Sequence, residues 1–213
     1  MNALSLRKSL DELIGRRQVL VAVHRGIACG DIMENTADGF RAAWASGGDI
    51  AEMDVVRSSD GVYYCLHDGM EPRLVGECGH LDTLSSAEID QLEYFNMSRT
   101  PAGRVERLEE VLAALRGRGL LNIDRSWRYW RDGFLDRLAA SEMSGQLILK
   151  CPALDAGALD ALEACGHPFL FMPIVGSAGQ WRAIRERKLN FVGAELLFAD
   201  EENELLTPEF QAE

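Results

Sequence analysis

The sequence predicts an α/β protein in which helices cover a parallel sheet, laid out as a barrel-type (β/α) chain that stops early. Three observations carry this. Short apolar runs of strand length alternate with helix-like stretches, the pattern of repeated βα units. The strand candidates are near-continuous apolar runs, as strands covered on both faces require. Polar residues gather where those runs end, the side on which a parallel barrel builds its site.

Val19 to Val23 is the first strand candidate. Phe40 to Ser46 reads as the end of a helix closed by Gly47 and Gly48, and Ile50 to Val56 is the second strand. The turn Ser59-Asp60-Gly61 leads into a short strand-like segment, Val62 to Leu66. Ser85, followed three residues later by Glu88, has the form of a helix cap. Leu108 to Arg116 is a helix and Leu120 to Ile123 the third barrel strand. Gly133 to Ala140, Leu154 to Cys165 and Gly179 to Arg187 are helices. The strands Leu147 to Lys150, Phe169 to Val175 and Phe191 to Phe198 alternate with them. That gives six barrel strands, whereas a closed eight-stranded barrel usually takes about 250 residues.

With 213 residues and 47% apolar content, a single domain spanning 1–213 is expected, with a small insertion after the second strand at about 68–105. The formal net charge of -12 disfavours nucleic acid as a partner, since such surfaces need clustered Lys and Arg. No apolar run is long enough to span a membrane. Met1 to Arg17 has no signal-peptide core, so the expectation is a cytoplasmic protein without stable membrane insertion. The cysteines at 29, 65, 78, 151 and 165 form no C-x-x-C pair; free thiols are expected rather than disulfides or zinc.

The polar residues at the strand ends are of a particular kind. The first strand runs into His24-Arg25-Gly26. The second carries Glu52 and Asp54, which point to the same face of a strand. Taken alone, such a pair fits a metal site or two salt-bridged core carboxylates equally well. His67-Asp68 follows the short strand-like segment; a lone histidine there is more often structural than catalytic. The third strand ends in Asn122-Ile123-Asp124-Arg125 and the fourth in Lys150. Together these supply oxygen ligands suited to Mg²⁺ or Ca²⁺, imidazoles for proton transfer and cations for phosphate oxygens. Those are the parts that phosphate-ester displacement needs.

The order His24-Arg25-Gly26, Glu34-Asn35-Thr36, Glu52-Met53-Asp54-Val55, Asp60-Gly61 and His67-Asp68 resembles the signature of the glycerophosphodiester phosphodiesterase family. Gly76 to Leu84 and Arg107 to Leu112 are also similar to family segments, and the resemblance covers roughly residues 18–200. It implies a TIM-type barrel that hydrolyses a small phosphodiester to glycerol 3-phosphate and an alcohol. His24 and His67 would be the acid–base pair. Glu52, Asp54 and Asp124 would hold one Mg²⁺ or Ca²⁺. Arg25, Lys150 and Arg125 would bind phosphate, with Glu34 and Asn35 behind them orienting the site. Related barrels act on lysophospholipids or sugar phosphodiesters, and an inactive, ligand-binding relative is the other alternative.

Four departures stand out. Met33 occupies the place of a proline before Glu34, which loosens a turn. Asp124 replaces a glutamate, and Ser126 stands where a lysine is usual, leaving Lys150 to supply that cation from the next strand. Finally, nothing matches the family's last two strands. The expectation is therefore a C-terminally shortened barrel. Its edges would be covered by Met1 to Arg17 and the acidic tail, or paired in a homodimer, or the chain would be a marginally stable fragment.

Overall fold

The computed structural model describes residues 10–212 apart from 12, 18, 77 and 78. Its main sheet runs β1 (Ala22–Val23), β2 (Ile50–Arg57), β6 (Leu120–Asp124), β7 (Leu147–Leu149) and β8 (Leu170–Phe171), all parallel. The wall continues through β9 (Ile174–Val175) and β10 (Glu195–Leu196), which pair in parallel. Single bridges join Pro152 to Ile174 and Phe171 to Phe191. The run Phe169 to Val175 is thus one wall position split in two at Pro173, which has no N–H for the ladder. Six wall positions result, as the sequence predicts. Among the described residues no ladder joins β10 to β1, so the barrel is partial.

The edge strands are shorter than the sequence implies. Val19 and Val21 are exposed at the start of β1, and Leu197 and Phe198 are exposed beyond β10. Among the described residues each edge has a pairing partner on one side only.

Period-two alternation sorts the wall. Ala51, Met53, Val55, Leu121, Ile123, Leu147, Leu149 and Phe171 face outward. They meet the helices α1 (Ala37–Ala45), α4 (Leu108–Leu115), α5 (Phe134–Ala140), α6 (Ala156–Ala164) and α7 (Ala178–Ile184) in the main core. Inside, the lower level is aliphatic: Leu120, Ile148 and Leu170 are buried with Leu20, Ile50 and Val192 beside them. Leu10 and Leu13, from the helical residues before β1, pack onto this level. The N-terminal segment, where described, therefore closes the floor of the barrel rather than its open edge; Met1 to Ser9 lie outside the described residues.

The chain turns back after β2 into β3 (Tyr63–Cys65), which pairs antiparallel with it through Val55 and Cys65. Asp60 pins the turn between them. It accepts from Ser58 Oγ at 2.6 Å, Ser86 N at 2.8 Å and Ser86 Oγ at 2.7 Å. Those bonds pull its carboxyl down to about 2. The insertion that follows holds α2 (Glu71–Leu74), α3 (Ser86–Ile89) and the hairpin β4 (Glu93–Phe95) to β5 (Pro101–Arg104). Ser85 and Glu88 form the expected capping box on α3. The insertion has its own core of Val56, Tyr64, Leu66, Leu74, Leu81, Ile89, Tyr94 and Val105. Met33 is buried in that core and its carbonyl accepts from Thr36 Oγ at 2.6 Å. The turn is therefore tight, not loosened, at this position. No disulfide forms among the described cysteines; Cys78 is outside them.

Candidate active site

The inner face of the wall changes character one pleat above the aliphatic floor. Glu52 follows Ile50, Asn122 follows Leu120, and Lys150 follows Ile148, each two residues on and on the same face. Asp54 and Asp124 lie one pleat higher and are register partners across β2 and β6. One oxygen from each of Glu52, Asp54 and Asp124 lies within 4.8 Å of the others. The structure thus brings together the three carboxylates that the sequence nominates.

Their surroundings are specific. Glu52 Oε2 accepts from Arg25 N at 2.8 Å. Asp54 is fully buried and is held by Asn35 on two sides. Asn35 Nδ2 donates to its Oδ2 at 3.1 Å, and Asp54 N donates to Asn35 Oδ1 at 2.9 Å. Arg25 Nε stands 3.2 Å from Asp54 Oδ2. Lys150 Nζ stands 3.0 Å from Asp124 Oδ2 and 2.8 Å from Glu195 Oε2. Glu195 is a residue that the sequence reading does not single out.

Burial sets the electrostatics. The Glu52 carboxyl is pushed up to about 8, by burial first and then by Asp54 beside it; the Arg25 N–H and Lys150 pull the other way. Asp54 is also raised by burial, with Asn35, His67 and Arg25 moderating the rise. Burial opposes the charge on Lys150, but its pairs with Glu195 and Asp124 outweigh that and hold its ammonium above the ordinary value. Glu52 Oε1, Asp54 Oδ1 and Asn122 Oδ1 are buried with no hydrogen-bond partner. Such orphaned oxygens are costly unless a cation meets them, and an all-oxygen set suits Mg²⁺ or Ca²⁺. The donor set therefore fits a hard divalent cation.

Three residues here hold a positive φ without being glycine: Arg25 at 59°, Asn35 at 55° and Arg125 at 58°. Such backbone is sparsely populated and collects at functional sites. Gly26 follows Arg25 at φ 72°, and a Cβ there would lie 2.7 Å from the carbonyl carbon of Gly39. The glycine lets the loop press onto the start of α1 while Arg25 N turns to Glu52.

The outer ring is built on charge pairs. Glu34 is shared by Arg25 at 3.2 Å and Arg73 of α2 at 2.6 Å. His67 Nδ1 lies 2.6 Å from the Asp68 carbonyl, which can only accept, so Nδ1 carries the proton and Nε2 is the acceptor. Arg125 NH1 points at that Nε2 from 3.2 Å, and its Nε pairs with Asp68 at 2.6 Å. Arg125 is thus turned to the His67 side, away from the carboxylates. His24 is exposed at the end of β1 and has no partner among the described residues. Ser126, at the place of the missing lysine, is buried under Trp130, whose Nε1 donates to its Oγ. Lys150, on the neighbouring strand, points inward beside Asp124 and is buried.

Residues 24–128 match the sequence profile of the Glycerophosphoryl diester phosphodiesterase family. No curated protein matches the chain. Solved structures do. A glycerophosphoryl diester phosphodiesterase from Parabacteroides distasonis superposes with TM-score 0.68 at 18% identity, covering 86% of this chain and 67% of that one. A phosphodiesterase from Oleispira antarctica, solved with its product sn-glycerol-3-phosphate, gives 0.62 at 18%, covering 84% and 74%. The glycerophosphodiester phosphodiesterase from Thermotoga maritima gives 0.58 at 21%, covering 81% and 72%. At these identities the likeness is one of fold, that of a TIM-type α/β barrel built here to six wall positions.

Wall and profile agree: a TIM-type barrel whose residues 24–128 carry the phosphodiesterase family's profile. Over residues 24–128, a little under half of the chain, the sequence is similar to the Glycerophosphoryl diester phosphodiesterase family. No helix among the described residues is long and apolar enough to cross a membrane.

Proposed function

We propose that the chain hydrolyses glycerophosphodiesters to glycerol 3-phosphate and an alcohol, with a divalent cation held by Glu52, Asp54 and Asp124. The observation that carries this reading is the meeting of three carboxylates within 4.8 Å, with one oxygen each of Glu52 and Asp54 buried and unpartnered, beside Arg25 and Lys150. When bound, the cation supplies Lewis-acid stabilisation of charge on a phosphoryl oxygen. The protein's own residues do the rest. Asn35 fixes the Asp54 carboxylate, and the Arg25 N–H fixes Glu52. Arg25 and Lys150, one on each side of the carboxylates, neutralise the equatorial phosphate oxygens. His67, with Nδ1 tied to the Asp68 carbonyl, offers Nε2 as a proton acceptor once Arg125 NH1, 3.2 Å away, yields to substrate. His24, exposed at the mouth, is the partner that delivers a proton to the leaving alcohol. Arg125 and Asp68 hold the His67 ring in place, with the Arg125 guanidinium at the same mouth for phosphate. The substrate is a small molecule; the Oleispira antarctica structure holds the product this scheme requires. In this reading the chain acts as one domain, alone or as a homodimer, in the cytoplasm.

The test is release of glycerol 3-phosphate from glycerophosphocholine and glycerophosphoethanolamine, with and without EDTA. Release that stops on chelation and returns with Mg²⁺ or Ca²⁺ supports the scheme. Turnover indifferent to EDTA, or confined to other diesters, refutes it.

A further inference from the structure

Glu195 lies on β10, the last wall position, outside the cluster of three carboxylates. Among the described residues its side chain pairs with Lys150, accepting from the ammonium at 2.8 Å. The same ammonium stands 3.0 Å from Asp124 Oδ2. The Lys150 side chain is 8% exposed, whereas that of Glu195 is 34% exposed. One buried cation therefore bridges a carboxylate of the cluster and a carboxylate outside it.

We infer that Glu195 is a positioning residue: it holds Lys150 at the mouth of the barrel and thereby releases Asp124 for cation binding. This rests on the proposed role of Glu52, Asp54 and Asp124. An ammonium at ion-pair distance competes for the same lone pairs that a divalent cation needs. A buried ammonium cannot surrender one partner unless another remains. Glu195 is that remaining partner. With it, Lys150 lets go of Asp124, stays charged and stays in the site to meet phosphate. Without it, Lys150 has Asp124 alone and masks a ligand. The role belongs to a residue that touches neither the cluster nor the reacting atoms, so it acts through Lys150.

Calorimetric titration of the full chain with Mg²⁺ and with Ca²⁺ separates the possibilities without using turnover. Glu195→Gln keeps the shape and removes the charge; it should weaken cation binding about tenfold, the low end for residues supporting metal ligands. Glu195→Asp keeps the charge and should stay close to the parent. Lys150→Met removes the competitor and should bind at least as tightly as the parent. In the Lys150→Met background, Glu195→Gln should change Kd by less than about twofold, as uncoupled sites do. Unchanged binding in Glu195→Gln alone overturns the inference. So does an equal loss in both backgrounds, which would make Glu195 act on the cation directly. If the parent binds neither cation, the cation site itself falls and the inference with it, an outcome distinct from the other two. Melting curves confirm that each variant is folded.

Discussion

The lower and upper levels of the barrel interior come from the same strands and have opposite chemistry. Ile50, Leu120, Ile148 and Leu170 make an aliphatic floor under Leu10 and Leu13. Two residues further along, Glu52, Asn122 and Lys150 carry buried polar groups, and Asp54 and Asp124 follow. The floor gains stability by burial, with no polar group to satisfy. The upper level loses stability to the desolvation of its charges and is held by Asn35, Arg25, Lys150 and Glu195. Stability and chemistry are thus separated along the strand axis by a single pleat, in the order that parallel barrels favour.

The strongest separation should come from the double variant Glu52→Gln, Asp54→Asn. Turnover should fall by about 10³ or more, since several kcal/mol of charge stabilisation go with the cation at 1.36 kcal/mol per decade. The cation-free protein should melt no lower than the parent, because two desolvated carboxylates are gone. Retained EDTA-sensitive turnover would dismiss the site.

His67→Ala and His24→Ala should each lower kcat by about 10²–10⁴, with cation affinity kept. Near-full activity in either variant would make that histidine structural.

The floor should respond the other way round. Leu120→Ala or Ile148→Ala should cost about 2–5 kcal/mol in denaturant unfolding, while cation affinity in the folded fraction is unchanged. Equal damage to both properties would mean that the levels are not independent.

The last comparison is by pH. The Glu52 carboxyl is raised in the folded state to about 8, from 4.5. A group that holds its proton more tightly when folded stabilises the fold fully below its unfolded value, and that contribution is lost as pH rises through the folded one. Melting of the cation-free protein should therefore decline between about pH 4.5 and 8. Cation affinity should rise over the same interval as the ligand ionises. Flat profiles in both would place Glu52 in an ordinary solvated state.

Much of this was legible in the sequence because backbone demands leave marks. The six wall strands showed as apolar runs, and Glu52 and Asp54 showed as charges that such a run would not otherwise carry. Gly26 and Asn35 mark positive-φ positions that few residues adopt. Other features left no mark. Glu195 is one acidic residue near the acidic tail, and only the register of β10 against β9 brings it to Lys150. Arg125 reads as a cation beside Asp124, yet its own left-handed backbone swings it to His67. Met33 reads as a substitution in a turn, but it is core to the insertion. Each of these placements depends on contacts between residues distant in sequence, which periodicity does not report.

Glu34 is claimed by two arginines at once, Arg25 from the loop after β1 and Arg73 from α2. The insertion is therefore not a detachable module that could be traded between relatives at will. Any graft that leaves out a cation at position 73 hands the whole of Glu34 to Arg25 and draws that guanidinium away from Asp54. Recombination of this segment should succeed only in chimaeras that carry the arginine along with it.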